Sequence, residues 1–186
     1  MNRGALALLC VLWPALFLGS GCASAQWKPT GAERESGPRG SSFAAPGGWM
    51  MASQSDDTVL SIDGPQLQAI HVTFHGEMPA TKAALDPAAP PSELAELYIA
   101  ELQNLTGSQV EVVENTPATV AGKPGFRLRV RHNRHAQHAP VDAYEIYAVG
   151  HGSGLYVLSY GAFETYLFER DRAAFEELVK SFQLPP

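Results

Sequence analysis

Cysteine is nearly absent from this sequence of 186 residues: only Cys10 and Cys22 occur, both near the amino terminus. Beyond Cys22 no intramolecular disulfide can form, even in an oxidising compartment. The fold must therefore be held by its apolar core alone. A domain of about 140 residues is large enough for that, because it buries roughly two thirds of the surface of the unfolded chain.

A hydrophobic run long enough to span a membrane is also missing. The apolar stretch from Ala5 to Leu18 has 14 residues and is interrupted by Pro14, whereas about 20 are needed to cross about 30 Å of hydrocarbon. Together with Arg3 before it, such a stretch is typical of a secretory signal peptide.

The residues that follow this stretch, Leu18-Gly19-Ser20-Gly21-Cys22, end in a cysteine. They resemble the lipobox of bacterial lipoproteins, although Gly19 stands where that family usually has a large apolar residue. The resemblance implies that residues 1–21 are removed and that Cys22 is lipidated. Because Ala23, not an acidic residue, follows the cysteine, it also favours the outer membrane, facing the periplasm. The alternative is ordinary secretion, with cleavage after Ala25.

Positive charge is in deficit, with 13 Lys and Arg against 19 Asp and Glu, which gives a net charge of −6. This balance indicates no overall attraction to nucleic acid. The sequence has neither a phosphate-binding glycine loop nor an HExxH zinc motif. Ser153 lies between two glycines, but His151 occupies the position where a nucleophile elbow needs its first glycine. We therefore expect no catalytic residues and no cofactor.

The composition divides the chain into three parts. Residues 1–21 form the predicted signal peptide. Residues 22–46 combine the lipidated cysteine with a segment rich in Gly, Pro and Ser that shows no apolar period, and this composition predicts a flexible tether. Its mean span as a random coil would be about 25–30 Å. Residues 47–186 form a single predicted domain.

Within that domain, alternating apolar residues predict strands and a 3.6-residue period predicts helices. The predicted strands are 49–54, 58–62, 67–75, 109–115, 126–131, 141–149 and 155–162, and the predicted helices begin at Ser92 and after Asp171. Gly107 is expected to end the first helix, and the glycine-rich segment 151–154 predicts a hairpin. This order predicts an α+β fold, an antiparallel sheet covered by two main helices.

Three segments carry a family resemblance: Val120 to Arg127, Gly154 to Tyr160, and Phe175 to Phe182. They resemble the PsbP-like fold, an α/β/α sandwich named for an extrinsic subunit of photosystem II and also found in small bacterial envelope lipoproteins. The resemblance implies a binding or assembly protein and assigns no catalytic residue.

Three histidines follow one another at three-residue spacing in a predicted loop, with Asp142 nearby. They are His132, His135 and His138. Imidazoles at this spacing are typical ligands of Zn²⁺ or Cu²⁺. The alternative is a solvated polar loop, because structural metal sites usually gather ligands from separate segments. His71 and His75 share the polar face of another predicted strand, too far apart for one ion without help from a neighbouring strand.

Arginine alternates with apolar residues along one predicted strand. Arg127, Arg129 and Arg131 would form a basic stripe about 14 Å long, which could attract an anionic partner. The alternative is neutralisation by Glu111, Glu114 and Glu145 on neighbouring strands.

These observations favour a lipid-anchored periplasmic lipoprotein that acts as a non-catalytic binding or assembly module. Its expected partners are the membrane, through the anchor, and an envelope protein. A metal or small-ligand carrier that uses the histidine loop is an alternative, and an enzyme is the least favoured one.

Overall fold

The structure, a computed structural model, describes residues 26–31, 33–106, 110–133 and 141–186. These ranges contain ten strands and two α-helices. The strands are β1 Lys28–Pro29, β2 Arg34–Ser36, β3 Ser42–Ala44, β4 Met50–Ser53, β5 Asp57–Ser61, β6 Gln68–His75, β7 Val110–Val120, β8 Lys123–Asn133, β9 Val141–His151 and β10 Gly154–Phe163, and the helices are α1 Pro91–Thr106 and α2 Leu167–Ser181.

Eight of the strands form one sheet in the order β1-β4-β5-β6-β10-β9-β8-β7. Every neighbouring pair in it is antiparallel. β2 and β3 form a separate small hairpin. Strands β4 to β6 and strands β7 to β10 each pair with the next strand along the chain, and the pairing of β6 with β10 unites these two halves at the centre of the sheet. The predicted α+β class and antiparallel sheet are confirmed.

The two helices cover different parts of opposite faces, because alternate residues of each strand point to opposite sides. α1 packs on β7, β8 and β9 over Phe126, Leu128 and Ile146. On the other face α2 packs mainly on β3, β6, β9 and β10, over a core that contains Tyr156 and Tyr160. Two layers of helix thus enclose one layer of sheet. The first turn of α2 also meets β8, where the Arg129 guanidinium lies beside Phe168 and Glu169.

Two of the predicted boundaries are wrong by several residues. The sequence predicts a long turn around Gly122, Pro124 and Gly125, but β7 and β8 join through Ala121 and Gly122 alone, both with positive φ (49° and 76°), as a two-residue hairpin requires. Gly125 lies inside β8. A side chain does not fit there, because a Cβ would meet the Ala148 carbonyl oxygen at 2.2 Å.

Helix α2 begins at Leu167 and not after Asp171. Its first turn is fixed by aromatic packing: the Phe168 ring stacks on Tyr160 with centroids 5.4 Å apart. The Tyr160 hydroxyl also donates a 2.7 Å hydrogen bond to the Leu167 carbonyl. The predicted terminator of α1, Gly107, lies outside the described residues.

Residues 26–46 contradict the predicted flexible tether in every part that the structure describes. β1 extends the main sheet through Lys28 and Pro29, and the Phe43 side chain in β3 is fully buried in the α2-side core. The Arg34 guanidinium donates a 2.8 Å hydrogen bond to the Ser181 carbonyl at the end of α2. Each strand here has two or three residues, too few to show a period, which is why the pattern looked irregular. Residue 47 is therefore not a domain boundary.

The predicted signal peptide 1–21 and Cys22 lie outside the described residues. Within the part that is described, neither α1 nor α2 is long and apolar enough to cross a membrane.

Candidate functional site

A highly charged surface lies on the α2-facing side of β7, β8 and β9, beside α2. We call it the arginine–glutamate network. Its members are Arg127, Arg129, Arg131, Arg172, Glu114, Glu145, Glu164, Glu169 and Glu176. Strict alternation in β8 directs its three arginines to this face, while Phe126, Leu128 and Val130 point to α1.

Glu145 is the centre of the network. It lies on β9, its side chain is 0% exposed, and its two carboxylate oxygens contact two different arginines. Nε of Arg127 lies 2.7 Å from Oε1, and Nε of Arg172 lies 2.7 Å from Oε2. Arg127 also reaches Glu114 at 2.9 Å. The buried carboxylate is therefore held between one arginine from the sheet and one from the helix.

The pKa values of the neighbours follow from this arrangement. Burial alone would lower the pKa of Arg127, but the hydrogen bond and the charge of Glu145 raise it above its usual value. The pKa of Tyr147 is raised, first by burial and then by the charge of Glu145. Both residues therefore keep their protons at neutral pH.

The other two arginines of the stripe also have acidic partners. Nη2 of Arg129 lies 3.7 Å from Glu169, and its guanidinium lies 5.6 Å from the centre of the Phe168 ring. Arg131 bonds to Glu164 through Nε. An anionic partner of the stripe would thus have to displace carboxylates of the chain itself. The attraction of such a partner stays a prediction.

The sequence indicated only part of this network. It indicated Glu114 and Glu145, which contact Arg127, but missed the partners that α2 and the β10–α2 segment supply. Arg172 was recognisable as a helix residue by its four-residue spacing from Glu176, an i,i+4 pair. No short sequence window around Arg172 indicates that its side chain also contacts Glu145 on β9.

The histidine loop is only partly described. His132 lies at the end of β8, with Nδ1 3.8 Å from the nearly buried Asp142. His135 and His138 lie outside the described residues. Among the residues that the structure does describe, no group of three or more His, Cys, Asp or Glu could hold a metal ion. The metal site therefore stays a prediction.

His71 and His75 lie in different surroundings on β6. Nδ1 of His71 lies 3.4 Å from Asp57 on β5, and the register places Ser159 of β10 directly beside it. His75 packs near Tyr98, and burial lowers its pKa although nearby carboxylates act to raise it.

A shallow pocket of about 120 Å³ opens beside these strands on the α1-facing side of the sheet. His71, Ser159 and Tyr144 contribute to its wall. Gly161 is required there, because a Cβ at that position would come within 2.4 Å of the Tyr144 ring. Asp142 also lines the pocket, which therefore combines one aromatic face with polar and acidic groups.

Glu101 is a buried acidic residue that sequence reasoning missed. It lies on α1 and is 1% exposed. Its carboxylate accepts hydrogen bonds from the Thr81 N–H at 2.8 Å, from the Thr81 hydroxyl at 2.9 Å and from the Ala80 N–H. Burial alone would raise the pKa of Glu101, but these hydrogen bonds lower it below its usual value. Glu101 thus fixes the loop between β6 and α1 as an ionised group.

This depressed pKa predicts a pH-dependent contribution to stability. A carboxylate whose pKa is lower in the folded than in the unfolded chain stabilises the fold above the unfolded pKa, and the contribution disappears as pH falls through the folded pKa. We expect Glu101→Gln to lower the free energy of unfolding by about 1.5–3 kcal/mol at pH 7, as for hydrogen bonds to a charged group. In urea titrations from pH 7 to pH 3, the free energies of unfolding of the wild-type protein and of the variant should converge as pH falls. A difference that stays constant with pH would contradict this role.

Comparisons with known proteins support the fold. Neither models of protein families nor curated protein sequences give a match. The chain is similar to the solution structure of cyanobacterial PsbP (CyanoP) from Synechocystis, with a TM-score of 0.54 and 18% identity over 90% of this chain and 98% of that one. It is also similar to the Ran-binding protein Mog1p of Saccharomyces cerevisiae, with a TM-score of 0.57 and 14% identity over 83% and 95%. At these identities the likeness establishes the fold alone: the chain has a PsbP-like fold.

Proposed function

We propose that this chain is a lipid-anchored lipoprotein of the bacterial cell envelope, and that its PsbP-like domain is a non-catalytic module that binds or assembles envelope components. The observation that supports the binding or assembly role is the PsbP-like fold. A structure that shares it is described as a Ran-binding protein, so this architecture can serve as a recognition surface. The arginine–glutamate network would offer such a component paired charges and not a free basic stripe, because its arginines already have acidic partners in the chain.

The membrane attachment is supported by the sequence around Cys22. An apolar stretch of signal-peptide length leads into small residues and a cysteine. Lipid with more than one acyl chain on that residue would hold the domain stably on a bilayer, whereas a single chain binds only marginally. Ala23 in the next position supports the outer membrane as the destination.

Replacement of the cysteine tests the anchor directly. We expect Cys22→Ala to move the protein from the membrane fraction to the soluble fraction and to abolish labelling by a fatty-acid analogue. Cys10→Ala is the matched control, because Cys10 lies in the segment that is removed and should have no effect. A native protein whose first residue is an unmodified Gln26, measured by mass spectrometry, would contradict the proposal.

The binding role is tested by site-specific photo-crosslinking in intact cells. Val113 is the suitable position, since it is 48% exposed and lines a pocket with Arg129 and Arg131 of the network. We expect a discrete adduct with an envelope component, and no adduct from Leu105, which is exposed on α1. Identical patterns from the two positions would argue against a specific binding surface at the network.

A further inference from the structure

The connection between the domain and the anchor is short, because the described residues between 26 and 46 pack on the domain. This inference rests on the lipid anchor proposed above. Trp27 is described, and it is five residues from Cys22. Five extended peptide units span at most about 18 Å, whereas a compact domain of this size is about 40 Å across. The end of the domain that carries β1 therefore cannot move far from the bilayer.

Exposed apolar side chains are concentrated at that same end. Eight large hydrophobic residues are exposed in the described chain, and four of them lie on or beside β1, β4 and the β5–β6 hairpin. We call these four the N-terminal corner: Trp27 (38% exposed), Met50 (38%), Ile62 (45%) and Leu67 (42%). The other four are distributed over α1, β7 and the start of α2.

The strand register places members of the corner near one another. Met50 pairs with Pro29 of β1, and Trp27 directly precedes that strand. On its other side Met50 pairs with Ser61, the last residue of β5, and Ile62 follows directly. Leu67 directly precedes β6, at the other side of the same turn. The corner thus lies where β1, the start of β4 and the β5–β6 turn meet.

The charges around the corner do not oppose contact with a lipid surface. Lys28 is paired with Glu35 at 3.0 Å. Asp63, in the β5–β6 turn, is paired with Arg170, which also contacts Asp171. Each of these charged side chains thus has a partner of opposite sign within the protein, and the patch presents apolar area and an indole ring beside them. Tryptophan is the residue most typical of the membrane–water interface.

We propose that the N-terminal corner rests on the membrane that holds the anchor, with Trp27 in the headgroup region. The anchor brings the patch to the bilayer, and burial of its apolar surface fixes the orientation of the domain there. A lipid surface is the occupant that the short connection favours.

The test uses a chain that begins at Cys22, which retains every residue that the structure describes. Cys22 is then the only thiol, so it can be coupled to vesicles of phosphatidylethanolamine and phosphatidylglycerol that carry a maleimide headgroup lipid. Trp27 and Trp49 are the only tryptophans in this chain. In the Trp49→Phe variant the tryptophan fluorescence comes from Trp27 alone. In the Trp27→Phe variant it comes from Trp49, which is 3% exposed and serves as the matched control.

On coupling, Trp27 emission should shift to shorter wavelength and be largely lost when the lipids carry brominated acyl chains. Trp49 emission should remain as in the uncoupled protein. Coupled Trp27 that keeps its free emission and resists quenching would overturn the proposal, as would a dimer in sedimentation that buries the corner instead. Since the coupling is chemical, its outcome is separate from lipidation of Cys22 in cells, which mass spectrometry decides.

Discussion

Glu145→Ala is expected to lower the free energy of unfolding by about 3–5 kcal/mol, since removal of one partner of a buried ion pair leaves the others uncompensated. Here two guanidinium groups, those of Arg127 and Arg172, would be left facing one another, with side chains only 20% and 27% exposed. Glu145→Gln keeps the shape and can still accept hydrogen bonds, so its effect should be smaller. The free energies are measured by urea unfolding with circular dichroism.

The matched control for Glu145 is an exposed pair of the same chemistry. Glu177 pairs with Lys180 on α2, and their side chains are 73% and 67% exposed. Water and salt screen such a pair, so Glu177→Ala should leave the unfolding midpoint unchanged within error. If both variants lose stability equally, or neither does, the central role of Glu145 in the network is wrong.

Phe43→Ala is expected to lower the free energy of unfolding by about 3–5 kcal/mol, the range for large aromatic residues in well-packed cores. Phe43 is 0% exposed and belongs to the core that α2 covers. A flexible tether would predict no change at this position. The experiment thus separates the two interpretations of residues 26–46 by an effect that is large compared with the error of a denaturation curve.

An exposed apolar residue supplies the control for Phe43. Leu105 on α1 is 62% exposed, and alanine is a good helix former. Leu105→Ala should therefore change stability by less than about 0.5 kcal/mol. A loss from Phe43→Ala no larger than that from Leu105→Ala would mean that the amino-terminal segment does not pack as the structure shows.

The fold was predictable where the pattern is long and local. Strict alternation in β8 predicted both the strand and its two faces, and the 3.6-residue apolar period after Ser92 predicted helix α1. The amino-terminal strands were not predictable, because β1 has two residues and its place is decided by pairing with Met50 and Met51. The tertiary contact of Phe43 overrides a composition that, by itself, is typical of a linker.

Within the candidate site, only the contacts between neighbouring strands of the sheet were predictable from the sequence. Cross-strand arguments identified Glu114 and Glu145, since adjacent strands follow one another in sequence. The ion pair of Glu145 with Arg172 joins a strand to the last helix, and the hydrogen bonds of Glu101 join a helix to a loop. Such contacts depend on how the layers pack, which no short sequence window contains.

The junction of β6 with β10 has a consequence for how the chain folds during its synthesis. Leu158 pairs with Val72 at the centre of the sheet, although 85 residues lie between them in sequence. Contacts of such high sequence separation form slowly, because loop closure must precede them. A chain that emerges amino terminus first therefore exposes an unpaired edge of β6 until β10 has been made. During that interval the incomplete sheet is most exposed to aggregation and proteolysis.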